Sequence, residues 1–170
     1  MIALENNFTI EEISFLNKLL STVSPSGFEV ECAEAIYTFL QGSCNLDYDV
    51  IGNLYAYSGE RILENGIMLT SHIDEVGFQV TRITDKGMVY VRRLGGLDRQ
   101  SMPGTKLMVA GKNRNLIGVF GKTSPHVQKE SEKAQVIEQD NLWVDFGLGN
   151  KAEALSHIDI GDFIGVAPNA

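Results

Sequence analysis

Basic residues are scarce in this chain: Lys and Arg number 14 against 22 Asp and Glu, a formal net charge of −8 over 170 residues. A protein that sits on phosphate backbones needs a positive footprint, so no nucleic-acid partner is expected. Long apolar runs are also missing. Nothing approaches the ~18 apolar residues of a membrane-spanning helix, and the opening Met-Ile-Ala-Leu-Glu-Asn-Asn has neither the basic nor the apolar region of a secretory leader. The expectation is therefore a cytoplasmic protein with no membrane partner. Cysteine is limited to Cys32 and Cys44, too few for a disulfide framework or a four-cysteine zinc site, and both are read as reduced thiols, Cys32 partly buried. Internal repeats, low-complexity tracts and glycine-rich phosphate loops ahead of a helix are absent as well.

What is present is an ordinary globular composition, 44% hydrophobic and 21% charged. A domain near this length can bury about 68–70% of its unfolded surface, so one real core is possible without disulfides or structural metals. The 17 glycines exceed the roughly 7% of an average chain, which implies many tight turns and favours a β-rich fold.

Thr9 followed by Glu12 is a capping-box signature opening a helix over Ile10 to Leu20, with Ile13, Leu16, Leu19 and Leu20 on one face and an end before Ser24-Pro25. Ser26 and Glu29 repeat the same reciprocal cap ahead of Val30, Ala33, Ile36, Tyr37 and Leu40, and Gly42 stops that run. Strands are expected over Leu46 to Val50 and Leu54 to Tyr57 around Gly52-Asn53. Ile67 to Ser71 reads as a short strand buried in a sheet.

Beyond that point the texture changes to short alternating strands with regular turns. Gly77 to Ile83 and Met88 to Arg92 form one hairpin across Asp85-Lys86-Gly87, and Lys106 to Ala110 and Leu116 to Phe120 form another. Leu142 to Asp145 and Phe163 to Val166 are further strands, with a short helix over Lys151 to Leu155 capped by Asn150. Together they predict a small barrel or sandwich between about Val76 and Val166. The polar stretch 122–139 is expected to be a surface loop.

His72 and Asp74 stand out chemically. Two residues apart on an extended backbone, they point to one face, and a histidine ligand commonly gives its second ring proton to a carboxylate. The competing reading is a polar pair at a strand end. Glu75, next in line, faces the other way and is expected to be solvated or salt-bridged. His126 and His157 are expected to be surface histidines, and Arg92, Arg93 and Arg99 to be solvated or paired charges rather than an anion site.

Seven blocks occur in order: Ser24-Pro-Ser-Gly-Phe-Glu29, Ile51-Gly-Asn53, Ser71-His-Ile-Asp-Glu-Val-Gly-Phe78, Leu94-Gly-Gly-Leu-Asp98, Pro125-His126, Val144-Asp-Phe-Gly147 and Ile160-Gly-Asp162. In this the chain resembles the glutamyl aminopeptidase family of TET-type metallo-aminopeptidases, some of whose members are described as cellulase M or endoglucanase. The resemblance implies an α/β (α+β) architecture: residues 1–75 as the opening of a zinc-peptidase-like α/β catalytic domain, 76–166 as an inserted PDZ-like β domain used for dimerisation, and 167–170 as a stub.

The resemblance further implies a hydrolase using two divalent metal ions (zinc, cobalt or manganese) to remove N-terminal residues from peptides, with His72 as a metal ligand and Asp74 as the residue that orients it. The family's other carboxylate ligands, its general-base glutamate and its last histidine have no counterpart here. The expectation is therefore a chain inactive by itself that does not hold the metals tightly, because one histidine and its orienting partner cannot bind two ions. Exposed apolar surface and association with itself or with a longer homologue are expected to follow. The alternative role is a non-catalytic assembly or regulatory subunit using the β domain. A glucanase is the least favoured, since it needs two carboxyl groups about 5–9.5 Å apart in a sugar cleft and none can be proposed.

Overall fold

The computed structural model describes residues 8–59, 66–98, 100–112, 115–122 and 141–168. They divide into two compact units, one running to Thr22 and resuming over Glu29–Ile73, the other comprising Val23–Phe28 and the chain from Asp74 onward.

In the first unit, helix α1 (Ile10–Ser21) starts at the expected capping box. The Glu12 amide donates to Thr9 Oγ1 at 3.2 Å and the Thr9 amide donates to Glu12 Oε2 at 2.7 Å, so two otherwise orphaned donors are satisfied. Helix α2 (Val30–Leu40) buries Cys32 and Ala33, and Phe39 stacks on Phe15 of α1 with ring centroids 3.9 Å apart. The second capping box does not form: Glu29 has helical φ/ψ and makes no side-chain cap. The chain ahead of α2 is instead folded into a tight turn in which the Phe28 amide donates to the Pro25 carbonyl at 2.8 Å, and this removes Ser26 from the helix end.

Strands β1 (Asn45–Tyr48) and β2 (Leu54–Tyr57) pair antiparallel, Asn45 opposite Tyr57 and Tyr48 opposite Leu54. The first ends two residues earlier than expected because Asp49 Oδ1 captures the amides of Ile51 and Asn53 at 3.0 and 2.9 Å, closing a loop in place of further ladder. The buried strand expected over Ile67 to Ser71 is not found. Ile67, Met68 and Leu69 are 94%, 81% and 92% exposed. An apolar run becomes a strand only when neighbours complete its ladder, and no strand pairs with it among the described residues.

The second unit is a closed barrel of six strands: β3 (Gly77–Ile83), β4 (Val89–Leu94), β5 (Lys106–Ala110), β6 (Asn115–Phe120), β7 (Trp143–Asp145) and β8 (Phe163–Val166). Around the barrel they run β3-β4-β7-β6-β5-β8, every neighbour antiparallel, and β8 closes on β3 through Phe78 opposite Ile164. Closure removes free sheet edges, which a sandwich would have left. Alternation does the rest: Phe78, Val80, Val89, Val91, Leu107, Val109, Phe120, Val144 and Ile164 point inward and are all but inaccessible. Helix α3 (Lys151–His157) is capped by Asn150, whose Oδ1 accepts from the Glu153 amide at 3.0 Å, and it adds Ala154 to this core. The stretch 122–139 lies outside the described residues apart from Lys122, as do His126 and Arg99.

Candidate functional site

The site begins where the exposed run 67–71 gives way to the barrel. His72 is exposed and Asp74 half-buried. Asp74 and Glu75 belong to the barrel unit, where the segment Val23–Phe28 lies against them. The Glu75 amide donates to the Ser24 carbonyl at 2.9 Å, and Pro25 and Glu75 make a parallel bridge. Farther along the same segment, Phe28 stacks on Phe163 of β8 with centroids 4.8 Å apart.

These contacts hold the side chains. The Ser26 hydroxyl donates to Asp74 Oδ2, a bond spanning 48 residues of sequence. Glu75, expected to be solvated or salt-bridged, is half-buried, and its Oε1 accepts from the Ser24 amide at 3.4 Å. Burial pushes the Glu75 carboxyl above its ordinary value, and the Ser24 amide only partly offsets this. The expectation failed because alternation along a strand says which way Glu75 points but not what covers it, and the cover is a segment about fifty residues away.

The other candidates are occupied elsewhere. Arg92 donates through Nε to Gln79 Oε1 at 2.9 Å, and Arg93 donates through Nη1 to the Leu97 carbonyl at 2.7 Å, so both are engaged within the barrel unit. His157 lies partly buried in the last turn of α3, and its carbonyl accepts from the Lys112 amide at 3.0 Å. Cys32 is buried in α2 and Cys44 half-buried, and the two are not joined by a disulfide.

Among the described residues, no group of three or more His, Cys, Asp and Glu side chains is placed to hold a metal ion. A co-catalytic pair of ions needs several such donors, and His72 with Asp74 does not supply them, so these residues by themselves do not fit a two-metal centre. Among the described residues, no helix is long and apolar enough to cross a membrane. The residue that sequence reasoning misplaced is Ser26, whose local pattern is that of a helix cap. Only the occurrence of its block and the His72 block in one ordered set linked the two in sequence.

Comparison with known proteins gives a consistent result. The family model described as M42 glutamyl aminopeptidase matches residues 52–170. "Putative aminopeptidase FrvX" of Escherichia coli is 29% identical over 160 residues, covering 92% of this chain and 44% of that protein. Among solved structures, the TET1 peptidase of Pyrococcus horikoshii, described as assembling into a tetrahedron or a large octahedral shell, superposes with a TM-score of 0.79 at 33% identity, covering 91% of this chain and 46% of that one. A TET aminopeptidase from a marine sediment thaumarchaeote has the same fold, with a TM-score of 0.85 at 24% identity, covering 92% of this chain and 44% of that one. The chain thus spans less than half the length of these proteins.

Proposed function

Because the chain belongs to the M42 glutamyl aminopeptidase family, we propose that it is the N-terminal portion of a metallo-aminopeptidase that removes N-terminal residues from peptides. In this reading residues 1–75 open the catalytic domain and 76–166 are a PDZ-like inserted domain serving dimerisation. His72 is a metal ligand, and Asp74 fixes the imidazole's orientation and tautomer, as carboxylates do for ligating histidines. The observation that carries the proposal is the extent of the family match, which runs from residue 52 to residue 170 and includes both side chains. The complete site takes two divalent ions, zinc, cobalt or manganese. The 170-residue chain alone is inactive, because the resemblance assigns it a single first-contact ligand where two ions need several.

The test is turnover of aminoacyl reporter substrates in the presence of zinc, cobalt or manganese, paired with elemental analysis of the dialysed chain and of His72→Ala. No turnover and no tightly retained metal are expected from the chain alone. Robust chelator-sensitive turnover would overturn the inactivity, and retention that does not change in His72→Ala would remove the histidine from the site.

A second reading is a non-catalytic assembly subunit, which shares with the first the exposure of Ile67, Met68 and Leu69. Apolar surface of this kind marks an interface, here with a second copy or a longer homologue. Sedimentation velocity over a range of concentrations should show association, and a monodisperse monomer at high concentration would count against it.

A further inference from the structure

We propose that Ser26 is the positioning residue for the Asp74 carboxylate, so that the Ser24-Pro-Ser-Gly-Phe-Glu29 block serves the site and not helix α2. The inference rests on the proposed reading in which Asp74 orients His72.

The geometry of the segment carries the argument. Pro25–Phe28 is a tight turn closed by the Phe28 amide on the Pro25 carbonyl, with Ser26 and Gly27 at its centre. Gly27 has φ +92, the left-handed value that the third position of a type II turn demands. The turn is anchored on both sides: before it by the Glu75 amide on the Ser24 carbonyl and by the Pro25–Glu75 bridge, after it by the Phe28–Phe163 stack. These anchors already attach the segment to the barrel unit. The hydroxyl at the apex is therefore not needed for attachment, and as part of an exposed residue it gains nothing from burial.

What the hydroxyl does is donate to one oxygen of Asp74. A charge-assisted bond of this kind fixes the plane of a carboxylate. A carboxylate that must accept an imidazole N–H in one direction needs such a fixed plane, since second-sphere partners set the ring's tautomer and orientation. Ser26 makes no cap on α2, although its spacing to Glu29 suits one, because the turn takes it away from the helix end.

The experiment uses the full chain with 15N-labelled histidine and 13C-labelled aspartate at about pH 8, above the usual imidazole range, so that the His72 tautomer is read directly. Four variants are compared with the parent: Asp74→Asn, Ser26→Ala, Ser26→Thr and Ser26→Val. Asp74→Asn is expected to redistribute the His72 nitrogen signals between tautomers. Ser26→Ala and Ser26→Val are expected to shift the Asp74 carboxyl carbon and to move the His72 signals part of the way in the same direction. Ser26→Thr keeps the hydroxyl and should restore both, and because Val has the shape of Thr, a difference between those two reports the hydroxyl and not packing.

If Asp74→Asn moves His72 while Ser26→Ala and Ser26→Val leave it unmoved, the inference is overturned and the reading of Asp74 stands. If Asp74→Asn leaves His72 unmoved, the reading itself falls. A carboxyl shift in Ser26→Ala would then report a structural bond only, and the inference falls with it.

Discussion

Gly165 of β8 lies directly against the Glu75 carboxylate: a β-carbon at 165 would come within 2.7 Å of Glu75 Oε1 and 3.2 Å of Val23 Cγ1. The close approach lets the segment at Val23 and the start of the barrel share one tightly packed layer. Gly165→Ala should therefore overpack it and destabilise the chain by about 1–3 kcal/mol. Urea unfolding followed by circular dichroism would measure the loss, and an unchanged midpoint would mean that the layer has slack.

Glu75 should leave a signature in the pH dependence of stability. Burial raises its folded pKa above the ordinary value of 4.5, so the folded state holds the proton more tightly than the unfolded one. The contribution is favourable at pH below 4.5 and is lost as pH rises through the folded pKa, beyond which it stays constant. Glu75→Gln keeps an oxygen for the Ser24 amide and removes the charge. The variant should be at least as stable as the parent at neutral pH and should lack this falling component, as seen in the difference between urea midpoints collected across the acidic range.

Asp49 predicts the opposite sign. Its pKa is lowered chiefly by the Asn53 side-chain amide; desolvation, the next largest influence, opposes this, and the Asn53 and Ile51 backbone amides and the Tyr55 hydroxyl add to the lowering. The stability it lends the β1–β2 hairpin is present above the ordinary 3.8 and is lost as pH falls through the lower folded value. Asp49→Ala should speed hydrogen exchange at the Ile51 and Asn53 amides while leaving the barrel amides unchanged.

Asn150→Ala removes the acceptor for the Glu153 amide at the start of α3. A lost N-cap of this type costs about 1 kcal/mol. Because α3 contributes Ala154 to the barrel core, the cost should appear in the unfolding of the whole barrel unit. A loss confined to helical signal, with the barrel transition unmoved, would show that the helix frays independently.

Gly27→Ala should act on the turn that presents Ser26. At φ +92 a β-carbon is strained whatever the surrounding space, so the substitution should destabilise the turn or flatten it and release the Asp74 carboxylate. The Asp74 carboxyl carbon should then shift as in Ser26→Ala, and an unshifted signal would show that the turn tolerates the side chain.

The amino-acid sequence by itself determined those elements whose physics is local. The reciprocal Thr9–Glu12 cap fixes where α1 begins, Asn150 does the same for α3, and the alternation through Gly77–Ile83 and Val89–Leu94 sets both the hairpin and the face that enters the core. Spacing and the ordered blocks around them also singled out His72 and Asp74 as the candidate pair. Only the tertiary structure decided that β8 closes on β3, that Ser26 turns from the helix end to Asp74, that Val23–Phe28 covers Glu75, and that Ile67–Leu69 finds no ladder among the described residues. Each of those outcomes depends on groups some fifty or more residues apart or on a partner strand. Capping patterns and alternation carry information over only one turn or one strand, so they name the side chains available for such contacts and leave the partners to the fold.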